Sequence, residues 1–403
     1  ERMNRIIRFY ISHEISYGVA ASQIFNWSSL LYEKGIDTQH LIFYTNRTKL
    51  LSMINGSDQK IRCIRSSTRI LFRDIIFFVT LFKVILKSNK QYEKIILQTR
   101  NNGVTLALSV LKLFFDFKII YEIRGFGENT LPNTFLAKLK TNIRKNRDQN
   151  LIKLADRVFC VSNEMKRVVI NSYSISELEN KFVVFPGAAS LRVFYLDETL
   201  RRVIRHEHNI GDRTIVILYS GNLDKPWQVP DQIFRFFKYI EEFIDARLFV
   251  LTPNLDLVQH YLKKYNIQEG IVFSRNCLFN ELNKFYNVAD YGILMRENKL
   301  LNNVASPTKF SEYILSGLPV IITDSIVDYS EFVKKNKIGF VLSSKVLEID
   351  DIQEYNDFLS NELKPQDLII SNNLLRSQIS SIGKLKLSKE SFIDYLSDIL
   401  RAI

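Results

Sequence analysis

Residues 306–323 run Ser306-Pro307-Thr308-Lys309-Phe310-Ser311-Glu312-Tyr313-Ile314-Leu315-Ser316-Gly317-Leu318-Pro319-Val320-Ile321-Ile322-Thr323. They spell a short helix followed by a strand, with both helix ends marked. Ser306 suits the N-cap and Pro307 the first helical position, where no backbone donor is needed. Gly317 fits the left-handed residue after the last turn, and Pro319 blocks continuation. Phe310 and Ile314 lie one turn apart on an inward face. Val320-Ile321-Ile322 is a continuous apolar run, as in a parallel strand covered on both sides. Lys309 stands out, because a cation in the first turn opposes the helix dipole by about 0.3–1 kcal/mol. Two readings follow. Either an anion sits at the helix start, where free N–H groups bind phosphate, or Lys309 is solvated and paired with Glu312 at i,i+3.

The pattern Ser306-Pro307-Thr308-Lys309 with Glu312-Tyr313, then Gly317, Pro319 and Val320, resembles the nucleotide-binding segment of family-4 glycosyltransferases. The resemblance implies an α/β fold of GT-B type, two facing Rossmann-like domains with a cleft between them. It also implies that Glu312 binds the ribose hydroxyls of a nucleotide sugar, within a donor segment that includes Ser306, Pro307 and Thr308. The usual second glutamate, eight positions earlier, is Val304 here. A branch with the Ser-Pro-x-Lys form shares that departure, which leaves the sugar-contacting role unassigned.

Length and charge narrow the possibilities further. A chain of 403 residues is expected to form two domains, each with its own core. Apolar residues make up 46%, yet no uncharged apolar run approaches the ~18 residues of a membrane span. The chain opens Glu1-Arg2-Met3-Asn4-Arg5 and passes straight into a strand-like run, so no secretory signal is expected. Cys63, Cys160 and Cys277 are far apart and odd in number, which favours a reducing compartment over a disulfide framework. Residues 1–190 carry 29 Lys and Arg against 15 Asp and Glu, whereas the rest carry 26 against 28. The basic surplus therefore belongs to the first half, which predicts acidic partners there.

Residues 5–12 read as a first strand, followed by a loop with Tyr17-Gly18 and a helix over 20–34. This unit is not a G-x-G-x-x-G, so alone it points only weakly to phosphate; the resemblance puts Gly18 near the donor diphosphate. Residues 70–87 are very apolar, with Arg62, Arg65, Arg69, Lys87 and Lys90 around them. They fit a buried domain helix or, alternatively, a helix lying on a membrane surface. Strands over 94–99 and 118–124 with a helix between continue a βα alternation, which predicts a parallel sheet. Arg124, flanked by Gly125 at a strand end, lies where open α/β sheets collect ligands. A basic run of Lys138, Lys140, Arg144, Lys145 and Arg147 follows.

Pro186-Gly187 resembles the Pro-x-Gly segment where such family members pass from the first domain to the second; boundaries are expected at 1–190 and 191–385, and the resemblance implies that a last helix in 386–403 packs back on the first domain. The second domain opens with Ile215-Val216-Ile217-Leu218-Tyr219-Ser220, then Gly221-Asn222-Leu223-Asp224-Lys225. A buried strand running into a glycine-containing polar loop is the usual phosphate contact of a Rossmann-like unit. The resemblance assigns Gly221 and Asn222 to donor binding and sends Lys225 toward the diphosphate. The strand over 291–295 ends in Met295-Arg296-Glu297 just ahead of the 306–323 segment.

Sugar transfer from a nucleotide donor needs charge stabilisation on the departing diphosphate, by a metal or by fixed cations and helix dipoles. The sequence contains no Asp-x-Asp, and His206-x-His208 stands without supporting ligands, so no metal site and no cofactor beyond the nucleotide-sugar co-substrate is expected. Arg124, Lys225 and Lys309 are the candidate catalytic cations, with Arg296 and the helix start at Ser306 beside the donor. The expected activity is retaining transfer to a glycan or lipid-linked acceptor in cell-surface polysaccharide synthesis. Retention comes from the resemblance alone. The expected setting is the cytoplasm, on the inner face of an anionic membrane, with no nucleic-acid partner. A nucleotide-sugar epimerase on the same architecture and a non-catalytic binder of anionic membrane or nucleic acid are the alternatives.

Overall fold

The computed structural model describes residues 6–15, 20–54, 59–125, 135–225, 227–370 and 373–403. The chain forms two compact units. One comprises residues up to Pro186 together with Phe392–Ile403, the other Gly187–Ser391.

The first unit is built on a seven-stranded sheet in the order β3-β2-β1-β4-β5-β6-β7. Its strands are β1 Ile6–His13, β2 Ile36–Tyr44, β3 Ile61–Arg65, β4 Lys94–Thr99, β5 Lys118–Ile123, β6 Arg157–Cys160 and β7 Phe182–Val184. Every described pairing is parallel. Strand β1 is buried along nearly its whole length, as expected when helices cover both faces. The chain winds outward from β1 to β3 and then returns to β4 on the other side of β1. The switch point between β1 and β4 opens a crevice at the strand carboxyl ends.

The second unit repeats the plan with six strands in the order β10-β9-β8-β11-β12-β13. They are β8 Ile215–Ser220, β9 Ala246–Leu251, β10 Val272–Arg275, β11 Tyr291–Leu294, β12 Val320–Thr323 and β13 Gly339–Leu342, all parallel. Alternate residues of β8 feed two cores. Ile215, Ile217 and Tyr219 join one cluster, Val216 and Leu218 the other. Each fully buried aliphatic side chain contributes roughly 1.5–3 kcal/mol of transfer free energy. The sheet is thus fixed from both faces, and its switch point lies between β8 and β11.

The final helix, Lys389–Ala402, begins in the second unit and ends in the first. In the first unit Phe392 packs 5.5 Å from Phe185, Asp394 pairs with Lys34 at 2.5 Å and Arg401 donates to the Lys34 carbonyl at 2.7 Å.

Candidate functional site

In the second unit the switch point gathers residues from three strand ends. Gly221 follows β8, Arg296 follows β11, and the helix Thr308–Leu315 leads into β12. Gly221 has φ +143, and a side chain there would run into the Lys309 amine. The Lys309 ammonium sits 5.0 Å from the centre of the Tyr219 ring. Burial first, and then the nearby Arg296, lower its pKa to about 7, against the opposing pull of Glu312. Arg296 is itself buried, which lowers its pKa to about 10. Among the described residues neither cation has an ion-pair partner; Arg296 Nη1 reaches only the Asn302 side-chain oxygen, at 3.4 Å.

A buried cation depressed by a second cation beside it is costly unless an anion arrives. The backbone of Arg296 is held firmly for that purpose. Its N–H donates to Thr323 Oγ1 at 2.9 Å, and its carbonyl accepts from Thr323 at 2.9 Å and from Ser325 at 2.6 Å.

The helix start differs from the sequence expectation. Pro307 is the N-cap and Ser306 lies outside the helix, because the Ser306 hydroxyl is committed elsewhere. It accepts the Gly187 N–H at 2.8 Å and meets the Tyr329 hydroxyl at 2.8 Å. Ser311 donates to the Gly187 carbonyl at 2.5 Å, so both backbone groups of Gly187 are held by this segment. A side chain on Gly187 would come within 2.5 Å of the Ser306 carbonyl oxygen. No side chain caps the helix; the Phe310 N–H donates to the Pro307 carbonyl, and the Thr308 and Lys309 amides at its start are donors of the kind that bind phosphate. At the other end Gly317 has φ +69, as the left-handed cap requires.

Glu312 is buried on the same helix. Burial raises its pKa to about 7, against the pull of the Tyr286 hydroxyl and the Lys309 and Lys389 charges. Tyr286 Oη lies 3.0 Å from Ser220 Oγ and 3.2 Å from Glu312 Oε2. A phenol has one proton, and an ionised carboxylate takes it. Ser220 then donates to Tyr286, giving a chain from β8 through Tyr286 to Glu312. Glu312 is therefore tied into a buried hydrogen-bonded chain instead of to a solvated Lys309 partner.

Of the sequence-selected residues, Gly221, Arg296, Lys309 and Glu312 come together, with Ser306, Pro307 and Thr308 at the adjoining helix start. Asn222 folds its own loop by accepting the Asp224 N–H at 3.1 Å. Lys225 is half-buried and pairs with Asp224 at 3.0 Å. Val304 is wholly buried in place of a second glutamate. Gly18 lies outside the described residues.

Arg124 belongs to the first unit, beside a cavity of about 350 Å³ at the carboxyl ends of β1, β4 and β5. Its guanidinium binds the buried Glu122 carboxylate. Glu122 also accepts from Tyr10 at 2.6 Å, Gln98 at 2.8 Å and Arg100 at 3.0 Å. Burial pushes the Glu122 pKa up, but Arg100 and Arg124 outweigh it and hold the group well below the usual carboxylate range. Across the cavity Asp148 is pushed upward by burial while Tyr121, Asn102 and Tyr173 bond to it.

A model of the family described as glucosyltransferase 3-like, C-terminal domain, matches residues 243–377, a stretch containing Arg296, Lys309 and Glu312. No curated protein sequence matches the chain. Among solved structures, a glycosyltransferase from Rickettsia africae is 16% identical with a TM-score of 0.70, over 99% of each chain. HepE from Anabaena, in complex with UDP-glucose, is 10% identical with a TM-score of 0.66, over 99% of this chain and 100% of that one. The catalytic domain of starch synthase IV from Arabidopsis thaliana, bound to ADP and acarbose, is 11% identical with a TM-score of 0.68, over 98% of this chain and 99% of that one.

The fold is GT-B. Its second Rossmann-like domain holds the cation set at its switch point. Sequence reasoning passed over three participants in this GT-B domain: Tyr219, Tyr286 and Ser220. Tyr286 is 26 residues from Glu312, and no local spacing links them. Glu122 was legible in principle, as a lone acid inside the apolar run of β5.

Proposed function

We propose that this chain is a retaining glycosyltransferase that takes a sugar from a nucleoside-diphosphate donor and passes it to a glycan or lipid-linked acceptor. The observation that carries the reading is the unpaired couple Arg296 and Lys309 beside Gly221 and an uncapped helix start. In this reading the diphosphate lies against the two cations and the first-turn amides. Glu312 accepts from the ribose hydroxyls while Tyr286 and Ser220 hold it in place. As the glycosidic bond breaks, negative charge grows on the leaving diphosphate, and preoriented cations and amides stabilise it without reorganisation. The reading is supported by the UDP-glucose and ADP bound in two structures of like fold. Retention rests on the family resemblance, and no carboxylate is assigned as a base.

The test is a thermal-shift panel of nucleotide sugars on the purified protein, with and without EDTA. A donor present at a large excess over its Kd stabilises the native state by about 2.7 kcal/mol or more. A stabilising donor that loses its effect with EDTA overturns metal-free binding. A panel without any stabilising nucleotide overturns the donor site.

A further inference from the structure

The helix Ile70–Ser88 in the first unit has two apolar faces. Phe77, Leu81, Val84 and Ile85 are buried against the unit, with Asp74 among them. On the opposite side Leu71, Phe72, Ile75, Val79, Phe82 and Leu86 are exposed, Leu71 by 78%. Their spacing of three and four residues makes them one stripe along the helix. Phe78 stacks on Phe82, and Phe82 meets Phe115 edge-on at 5.8 Å. That contact joins the stripe to the end of the next helix, where Leu113 and Phe114 are 79% and 73% exposed. Single exposed apolar residues are ordinary, whereas a joined patch marks an interaction surface.

Charge identifies the occupant. Residues 61–90 hold seven Lys and Arg against one acid. That acid, Asp74, is buried and bound by Arg147 at 2.6 Å. Arg62, Arg65, Arg69, Lys83, Lys87 and Lys90 are exposed around the stripe. A second copy of the chain would meet this rim with the same positive charge. A soluble acidic partner would answer the charge but leaves the long apolar strip needing its own complement. A bilayer with anionic headgroups supplies both, hydrocarbon for the stripe and phosphate for the rim. No described helix is long and apolar enough to cross a membrane, so this one would lie in the surface plane.

We infer that the exposed face of Ile70–Ser88, extended by Leu113 and Phe114, docks the first unit on an anionic lipid surface. The inference does not depend on the donor-site reading.

Flotation with phosphatidylcholine vesicles, with and without phosphatidylglycerol, tests it. The protein is expected to float with the anionic vesicles at low salt and to be released as salt rises, since headgroup attraction is screened. Leu71→Ser with Leu113→Ser and Phe114→Ser is expected to lower vesicle affinity roughly tenfold or more, as is Arg65→Gln with Lys83→Gln and Lys87→Gln. All six positions are exposed, and an unchanged melting temperature in either variant verifies its fold. Equal flotation on neutral vesicles, or no flotation of the unaltered protein, overturns the inference. So does a dimer by light scattering that the apolar variant converts to monomer.

Discussion

The amine of Lys309 occupies the space that a side chain at Gly221 would need. Gly221 also has φ +143, a conformation costly for any L side chain. One residue thus does two things: it turns the chain out of β8 and lets a cation reach the loop. Gly221→Ala is expected to cost about 1–3 kcal/mol of stability and to displace the amine. The UDP-induced shift in melting temperature should shrink in the same variant. A normal shift would mean that the amine and the loop do not act together on the ligand.

Glu312 is the second site residue whose replacement separates stability from binding. At pH 8 its carboxylate is charged and buried, so Glu312→Gln removes a desolvation cost and is expected to raise the melting temperature of the empty protein. The same change weakens charge-assisted bonds to ribose hydroxyls, by about 1–3 kcal/mol of UDP affinity. Calorimetric titration of UDP checks the second effect. Unaltered affinity in a more stable variant would leave Glu312 without a ligand role.

The opposed shifts of Lys309 and Glu312 give a defined pH dependence. Glu312 rises from 4.5 to about 7, so between those values the native state keeps a proton that the unfolded chain has lost. Stability then falls as pH rises toward 7. Lys309 drops from 10.5 to about 7, so above 7 it is the unfolded chain that holds the extra proton, and stability rises again. The pair contributes least near pH 7. A bound diphosphate favours the ammonium and a bound ribose favours the carboxylate, so UDP affinity should peak near pH 7 and fall on both sides. Lys309→Met should abolish the alkaline fall. A profile that varies in one direction only would contradict this account.

Much of this site was written locally. The helix-to-strand segment at 306–323 carried its own stop in Gly317, and the β8 loop its glycine. What failed was the N-cap at Ser306, whose hydroxyl binds a backbone N–H 119 residues away. Sequence periodicity could not foresee a bond of that reach. Strand β3 was missed because its residues are half-exposed at a sheet edge and show no apolar run. The helix Ile70–Ser88 was ambiguous for another reason. A helix apolar on every side reads alike whether one face or both are covered, and only the packing separated the two.

Glu122 offers the sharpest test in the first unit. Its carboxylate, on β5, takes donors from Tyr10 on β1, Gln98 on β4, Arg100 just after β4 and Arg124 just after β5. Glu122→Gln keeps the size and an acceptor for Tyr10 but leaves Arg100 and Arg124 without their shared charge. Breaking a buried pair from one side costs about 3–5 kcal/mol, because the orphaned cations stay desolvated. The loss should appear as a lower urea midpoint at pH 7. Acid provides an internal control. Arg100 and Arg124 hold the folded pKa below the ordinary 4.5, even though burial pulls it upward, so the wild-type advantage is present above that value and fades as pH falls through the folded pKa. The gap between wild type and variant should therefore narrow as the urea series is moved to lower pH. A midpoint at pH 7 equal to wild type would show that the two arginines do not need the carboxylate, and the first-unit cavity would lose its fixed wall.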